Sequence, residues 1–165
     1  MRARRAAVAR PAPGMRSATL LAAAALAASL GACGGTGYVR VRGVAPLNVD
    51  GSNQSTPVDI RVYQLRDDAR FLLARVEDLW TKDKEVLAGD FIAQKKVTVF
   101  PGRAEEAPRD VDFGELPPDC RFIGILALFS MPDDRGPRHL VIPAEEAIGR
   151  VLRLTGSHVR LEDER

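Results

Sequence analysis

Two cysteines, two histidines and several adjacent acidic pairs are the residues of this 165-residue chain whose types invite chemistry. Catalysis needs a nucleophile beside a base, a metal cluster, or paired carboxylates in a pocket. His139 and His158 each fall in a strand-like stretch, without a second ligand at the spacing a metal site uses. The pairs Asp67-Asp68, Glu105-Glu106 and Asp133-Asp134 stand where a helix cap or a turn is expected, a usual place for solvated carboxylates. Gly-x-Ser-x-Gly, a Walker-type loop and Cys-x-x-Cys are absent from the sequence. Gly34-Gly35-Thr36-Gly37 lacks the strand-to-helix setting of a phosphate loop. Cys120 reads as a small buried residue at the start of a strand. These residues predict no enzyme, no catalytic set and no metal site.

Cys33 is different. It follows Leu30-Gly31-Ala32 at the end of an apolar run from Ala18 to Leu30, itself preceded by an arginine-bearing start. A basic start, an apolar core and small residues at a cut point make a secretory signal peptide. The run is too short to span a bilayer, which takes about 20 apolar residues. Leucine three places before a cysteine, with small residues between, resembles the lipobox of bacterial lipoproteins. That resemblance implies a diacylglyceryl thioether on Cys33, cleavage just before it, and an acylated N-terminus. No cofactor beyond this covalent lipid is expected. Residues 1–32 are then a leader, with Met15 the more natural start, and residues 33–37 the lipidated cysteine with a glycine-rich tether. A single domain covers residues 38–165.

The leader holds Arg2, Arg4, Arg5, Arg10 and Arg16 and no acidic residue, so its removal turns the formal charge from +2 to −3. The basic balance belongs to the leader, and nucleic-acid binding, which needs a clustered basic face, is not expected. With Cys33 acylated, Cys120 has no cysteine to pair with, so an exported chain would hold no internal disulfide.

The elements that would position any site follow from periodicity. Val39 and Val41 alternate with Arg40 and Arg42, and Val58, Ile60 and Val62 alternate with Asp59, Arg61 and Tyr63, the period of half-buried strands. Between them, Leu47 to Ser55 is a loop by composition, with Asp50-Gly51 as a turn signal. Asp67 or Asp68 is expected to cap a helix whose apolar stripe is Ala69, Leu72, Leu73, Val76, Leu79 and Trp80. A second short helix runs from Lys82 to Ala88 and stops at Gly89, so the helical insertion spans residues 67–89. The stripe is expected to pack on a sheet, since a helix lying in a membrane surface is usually richer in basic residues on its polar face.

Further strands are expected at Lys96–Phe100, around Val111 and Phe113, at His139–Ile142, Val151–Leu154 and Val159–Leu161. Phe122 to Phe129 is apolar throughout and reads as a central strand buried on both faces. Met131 to Gly136 reads as a turn. Seven or eight short strands with turns between them predict an all-β, mainly antiparallel β-sandwich with a short helical insertion.

Several stretches in this order resemble one family. They are Pro57-Val58-Asp59-Ile60-Arg61-Val62-Tyr63-Gln64-Leu65-Arg66-Asp67, then Phe71, Leu79-Trp80 and Asp83-Lys84-Glu85-Val86-Leu87. Phe100-Pro101-Gly102 and Phe122-Ile123-Gly124-Ile125-Leu126-Ala127-Leu128-Phe129 complete the set. With the lipobox, the chain resembles the outer-membrane lipoprotein of the type VI secretion system, TssJ, also called VasD or SciN. The resemblance implies a transthyretin-like sandwich on the periplasmic face of the outer membrane, held there by its lipid. It also implies membrane-complex assembly through binding of the periplasmic domain of the inner-membrane component TssM, with no small-molecule substrate. The family's contact loop, between the first two strands, carries over to Leu47–Ser55, and to Leu47, Asn48, Val49, Asp50 and Asn53 within it. Pro143-Ala144-Glu145-Glu146-Ala147 departs from the family pattern by looking helical. Gly34, not aspartate, after Cys33 implies delivery to the outer membrane.

Two other readings make different demands. A periplasmic lipoprotein binding a small ligand through its sandwich loops would show a deep apolar pocket. An enzyme working through His139 or His158 would lose activity when either is replaced by alanine.

Overall fold

The structure is a computed structural model that describes residues 36–131 and 137–162, all within one compact unit, Gly34–Arg165. The expected leader, Cys33 and most of the turn at residues 131–136 lie outside the described residues.

Two four-stranded sheets face each other. One holds β1 (Thr36–Leu47), β4 (Arg109–Glu115), β7 (Val151–Gly156) and β8 (His158–Leu161) in the order β4-β1-β7-β8. The other holds β2 (Val58–Leu65), β3 (Phe91–Val99), β5 (Phe122–Leu128) and β6 (His139–Pro143) in the order β3-β2-β5-β6. All pairs are antiparallel except β1 with β7, which run parallel. The sandwich expected from the alternation is therefore present, with one parallel pair that alternation does not reveal.

The inward residues of both sheets form one apolar core: Val39 and Val41 from β1, Ile60 and Val62 from β2, Ile123 and Ile125 from β5, Leu152 and Leu154 from β7. Burial of a side chain of this size contributes about 1.5–3 kcal/mol.

The insertion between β2 and β3 is α1 (Ala69–Leu73), α2 (Val76–Leu87) and a 3-10 turn, Ala88–Asp90. It covers the outer face of the second sheet, so Tyr63, Leu65 and Leu126 of β2 and β5 are buried against Phe71, Val76, Leu79 and Leu87. This explains why Phe122–Phe129 is apolar throughout: β5 packs on the sandwich core with one face and on helices with the other. At Gly124 an added Cβ would lie 3.0 Å from both Leu65 Cδ1 and Phe71 Cζ, so the helix approaches the strand where the strand has no side chain.

The expected continuous stripe from Ala69 to Trp80 is interrupted. Ala74 and Arg75 are extended, with ψ of 148° and 144°, which resets the helical phase. Phe71, Val76 and Leu79 point in, whereas Leu73 is 86% exposed and Leu72 is exposed too. A second break at Lys82 (φ −144°, ψ 40°) falls where the sequence separates two helices. Of the two expected caps it is Asp67 whose Oδ1 accepts the Ala69 amide, at 2.9 Å, while Asp68 makes no capping hydrogen bond. Ala88, not Gly89, takes the positive φ of 47° that closes α2.

Three further boundaries differ from expectation. Thr36 and Gly37 belong to β1, not to a tether; an added Cβ at Gly37 would lie 2.1 Å from the Phe113 ring, so this glycine serves close packing on β4. β3 begins at Phe91, immediately after the 3-10 turn, five residues before the stretch that alternation picks out. Ala144–Ala147 is a single helical turn, α3, as its composition suggests, with Ala144 and Ala147 buried in the core.

Candidate functional site

The connection from β1 to β2 crosses from one sheet to the other and is built from its own hydrogen bonds. Asp50 organises the tip: its Oδ1 accepts from Ser52 N–H at 2.8 Å and Gln54 N–H at 3.0 Å, an Asx-type turn. The Asp50 amide donates to the Gln54 carbonyl and the Asn53 amide to the Asp50 carbonyl, both at 3.0 Å. Val49 and Ser55 form a bridge below the tip, and the Ser55 hydroxyl accepts from Leu47 N–H at 3.1 Å. Asn53 sits at φ 61°, a left-handed position that asparagine tolerates better than most residues.

Five residues of this loop are the sequence's candidates for partner contact, and the structure divides them. Leu47 ends β1, is fully buried and belongs to the sandwich core. Asn48, at φ 44°, is 4% exposed and works as a pin. Its Nδ2 donates to Thr56 Oγ1 at 2.9 Å and to the Pro57 carbonyl at 2.6 Å, and its Oδ1 accepts from Ser130 N–H at 2.6 Å. Its own amide donates to the Gly156 carbonyl at 2.7 Å. Leu47 is apolar and interior and Asn48 spends its polar atoms on three neighbouring segments, so both stand as supports of the loop. Val49 and Asp50 are half-buried; Gly51, Ser52, Asn53 and Gln54 are exposed and form the surface a partner would meet. Cys33, the candidate lipidation site, lies outside the described residues.

The position of the tip follows from strand direction. Thr36 is at one end of β1 and Leu47 at the other. A strand rises about 3.3 Å per residue, so the loop stands about 36 Å from the N-terminal end of the sandwich.

Sequence reasoning missed a second polar group, beneath the helices. Arg61 and Asp83 are buried, and Arg61 Nη1 donates to Asp83 Oδ2 at 2.9 Å and to the Leu79 carbonyl at 3.0 Å. The Tyr63 hydroxyl lies 3.2 Å from the same Asp83 oxygen, and the Arg61 guanidinium sits over Trp80, 4.2 Å from the ring centroid. Burial pushes the Tyr63 hydroxyl up to about 12, with Arg61 pulling the other way. This group ties α2 to β2. Alternation assigns Arg61 to a solvent face; the available hint is that Tyr63 and Leu65 share that face and are not solvent residues.

The remaining chemistry-bearing side chains lie apart from one another in the sandwich. His139, in β6, stacks edge-on to Phe71 with ring centroids 5.8 Å apart, and burial followed by Arg138 lowers its pKa. His158 lies in β8 beside Arg160. Cys120 is half-buried in the turn before β5, against the core; burial raises its thiol pKa, opposite to what a nucleophilic thiolate needs. Among the described residues no three His, Cys, Asp or Glu side chains converge to hold a metal. A cavity of about 90 Å³ opens between β1, β3 and the start of β4, beside Gly43, Val97, Phe100 and Arg109. A second, more open depression of about 390 Å³ lies between Cys120, Phe122 and Pro143, within the range of about 300–1,000 Å³ usual for small-molecule sites. No helix among the described residues is long and apolar enough to cross a membrane.

Residues 38–162 match the model of a family described as type VI secretion lipoprotein, VasD, EvfM, TssJ. Among solved structures, the chain is similar to Serratia marcescens Lip, described as a membrane-bound component of the type VI secretion system. That match has 20% identity and a TM-score of 0.68, over 76% of this chain and 96% of that one. It is 30% identical to a chain of a structure described as a type VI membrane complex, with a TM-score of 0.67, over 78% and 98% of the two chains. It is also 27% identical to a chain of a structure described as the T6SS protein TssM C-terminal domain from EAEC, with a TM-score of 0.66, over 78% and 98%. A search of curated proteins returned no match.

Proposed function

The chain belongs to the type VI secretion lipoprotein family, and on that premise we propose that it is a linker, acylated on Cys33 at the outer membrane and docked through its β1–β2 loop onto the periplasmic domain of TssM. The family accounts for a membrane-bound lipoprotein and a place in the secretion system's membrane complex. The finer reading rests on one observation. β1 carries the chain from the N-terminal end of the sandwich to the base of the loop, about 36 Å away. In this reading the lipidated Cys33, three residues before β1, belongs to the end of that strand opposite the tip, which leaves the tip free for a partner.

Two features make the loop suited to docking. The Asp50 turn and the Asn48 pin order it before any partner arrives, which lowers the entropy cost of association. Anchoring by the three acyl chains of a mature bacterial lipoprotein holds where one chain alone would bind only reversibly, since each buried methylene contributes about 0.8 kcal/mol. The relative found with the TssM name supports the choice of partner.

The test is binding of the full-length protein in detergent to the cognate TssM periplasmic domain. Ser52→Arg with Gln54→Arg changes exposed tip side chains while leaving the loop's backbone hydrogen bonds in place. Affinity should fall by about tenfold or more, as expected for charges placed in a docked surface. Unchanged affinity would move the contact off this loop, and no binding by the wild type would remove TssM as partner. Separately, Cys33→Ser should release the protein from the outer-membrane fraction.

A further inference from the structure

The outer face of the β4-β1-β7-β8 sheet carries a row of arginines. Register places Arg42 opposite Arg153 across β1 and β7, and Arg153 opposite Arg160 across β7 and β8. Their sequence neighbours Val41, Leu152, Leu154 and Val159 are buried in the sandwich, so alternation turns all three arginines outward. Adjacent strands lie about 4.8 Å apart, which puts the three Cα atoms within roughly 10 Å across the sheet.

Such a row works against the fold. Like charges directly opposite each other in a sheet destabilise it. Glu162 stands between two of the arginines, 3.6 Å from Arg42 Nε and 3.9 Å from Arg153 Nη1. Both separations exceed a hydrogen bond, and Arg42 Nε and Glu162 Oε2 are buried without a hydrogen-bond partner. Arg160 contacts His158 Nε2, and Arg42 Nη1 donates to the Ala104 carbonyl, neither of which supplies negative charge.

We propose that this row is a second docking surface, and that its occupant is an acidic segment of a protein partner whose carboxylates bridge Arg42, Arg153 and Arg160. Guanidinium and carboxylate pair through two parallel hydrogen bonds, so planar donors at strand spacing suit a run of carboxylates better than they suit isolated ions. A membrane surface fits less well. The chain beyond residue 32 carries a formal charge of −3, which opposes approach of the whole domain to anionic lipid. A short acidic segment instead responds mainly to charges within a Debye length, about 8 Å, where it meets the three arginines with Glu162 between two of them, while Asp110 of β4 faces Arg40 further along the sheet. Arg42 is also six residues along β1 from Thr36, about 20 Å from the N-terminal end of the sandwich. The inference is independent of the β1–β2 loop.

Fluorescence anisotropy of a labelled octapeptide of alternating aspartate and glutamate tests it, using the full-length protein in detergent. Saturable binding is expected, weakened about tenfold by Arg153→Gln with Arg160→Gln and by raising salt from about 50 to about 500 mM. The control pair Lys95→Gln with Lys96→Gln, on exposed β3 positions of the other sheet, should change affinity less than twofold. Thermal unfolding separates docking from structure: relief of like-charge opposition predicts that the arginine double variant melts at or above the wild-type temperature. Peptide affinity unchanged in that variant, or a lowered melting temperature, would overturn the proposal. So would binding to phosphatidylglycerol vesicles in place of the peptide, or peptide binding that appears only after residues 163–165 are deleted, which would make the chain's own acidic end the occupant.

Discussion

Replacement of Asn48 by alanine is the sharpest test of how the loop is held. Three side-chain hydrogen bonds disappear, to Thr56 Oγ1, the Pro57 carbonyl and the Ser130 amide. Each contributes about 1 kcal/mol net, and more where the abandoned partner stays buried. Alanine must also hold φ 44°, which costs roughly 1 kcal/mol beyond what asparagine experiences. The sum is about 3–4 kcal/mol, a large share of the roughly 5–15 kcal/mol by which domains are stable. In a domain of this size it corresponds to a melting temperature lower by about 10 °C. Urea denaturation of the wild type, Asn48→Ala and Asn48→Gly gives the check. Glycine relieves the backbone term but not the lost hydrogen bonds, so it should fall between the other two, nearer to alanine. A midpoint for Asn48→Ala within about 1 kcal/mol of the wild type, at unchanged slope, would refute the pin. The result also governs how binding is mapped, because an alanine at position 48 that weakens TssM binding would report an unpinned loop and not a lost contact.

Three other perturbations are as direct. Asp83→Asn strands the buried Arg61 guanidinium and should cost about 3 kcal/mol by chemical denaturation, while Arg61→Met with Asp83→Leu should recover most of the loss. Gly43→Ala places a Cβ 2.4 Å from the Phe100 carbonyl oxygen, a backbone atom that cannot swing away, so a loss of about 1–3 kcal/mol is expected in thermal unfolding. Stability should also fall in alkali: the Tyr63 hydroxyl is raised to about 12 in the fold, so above pH 10 the unfolded chain loses this proton first. Its contribution is complete below pH 10 and is lost as pH rises through about 12, and Tyr63→Phe should flatten that part of the pH profile.

Much of the fold was legible because burial on one face writes itself as period two. Val39, Val41, Ile60 and Val62 announce their strands and their inward faces without any knowledge of the partner strands. The apolar run at 122–129 likewise announced a strand covered on both sides. Misreadings came where a residue's surroundings arrive from far along the chain. Arg61 looks solvent-facing in β2 until α2 closes over it with Asp83 and Trp80. Leu72 and Leu73 fit a helical stripe until the break at Ala74 and Arg75 turns them outward. Within the candidate loop, composition marked a turn but could not separate supports from surface, because Asn48 is defined by Ser130 and Gly156, about 80 and 110 residues away in the chain.

What the sequence determined by itself is local: the leader-like start with its cysteine, the strands, the insertion between the second and third of them, and the family those stretches resemble. Periodicity, composition and motif order are properties of neighbouring residues, and they need no tertiary contact to be read. Only the tertiary structure decided that β1 pairs with β7 in parallel, that Asn48 locks the loop, and that Arg42, Arg153 and Arg160 stand in one row. Each of these depends on register between segments distant in the chain, and register is set by the packing of the whole sandwich.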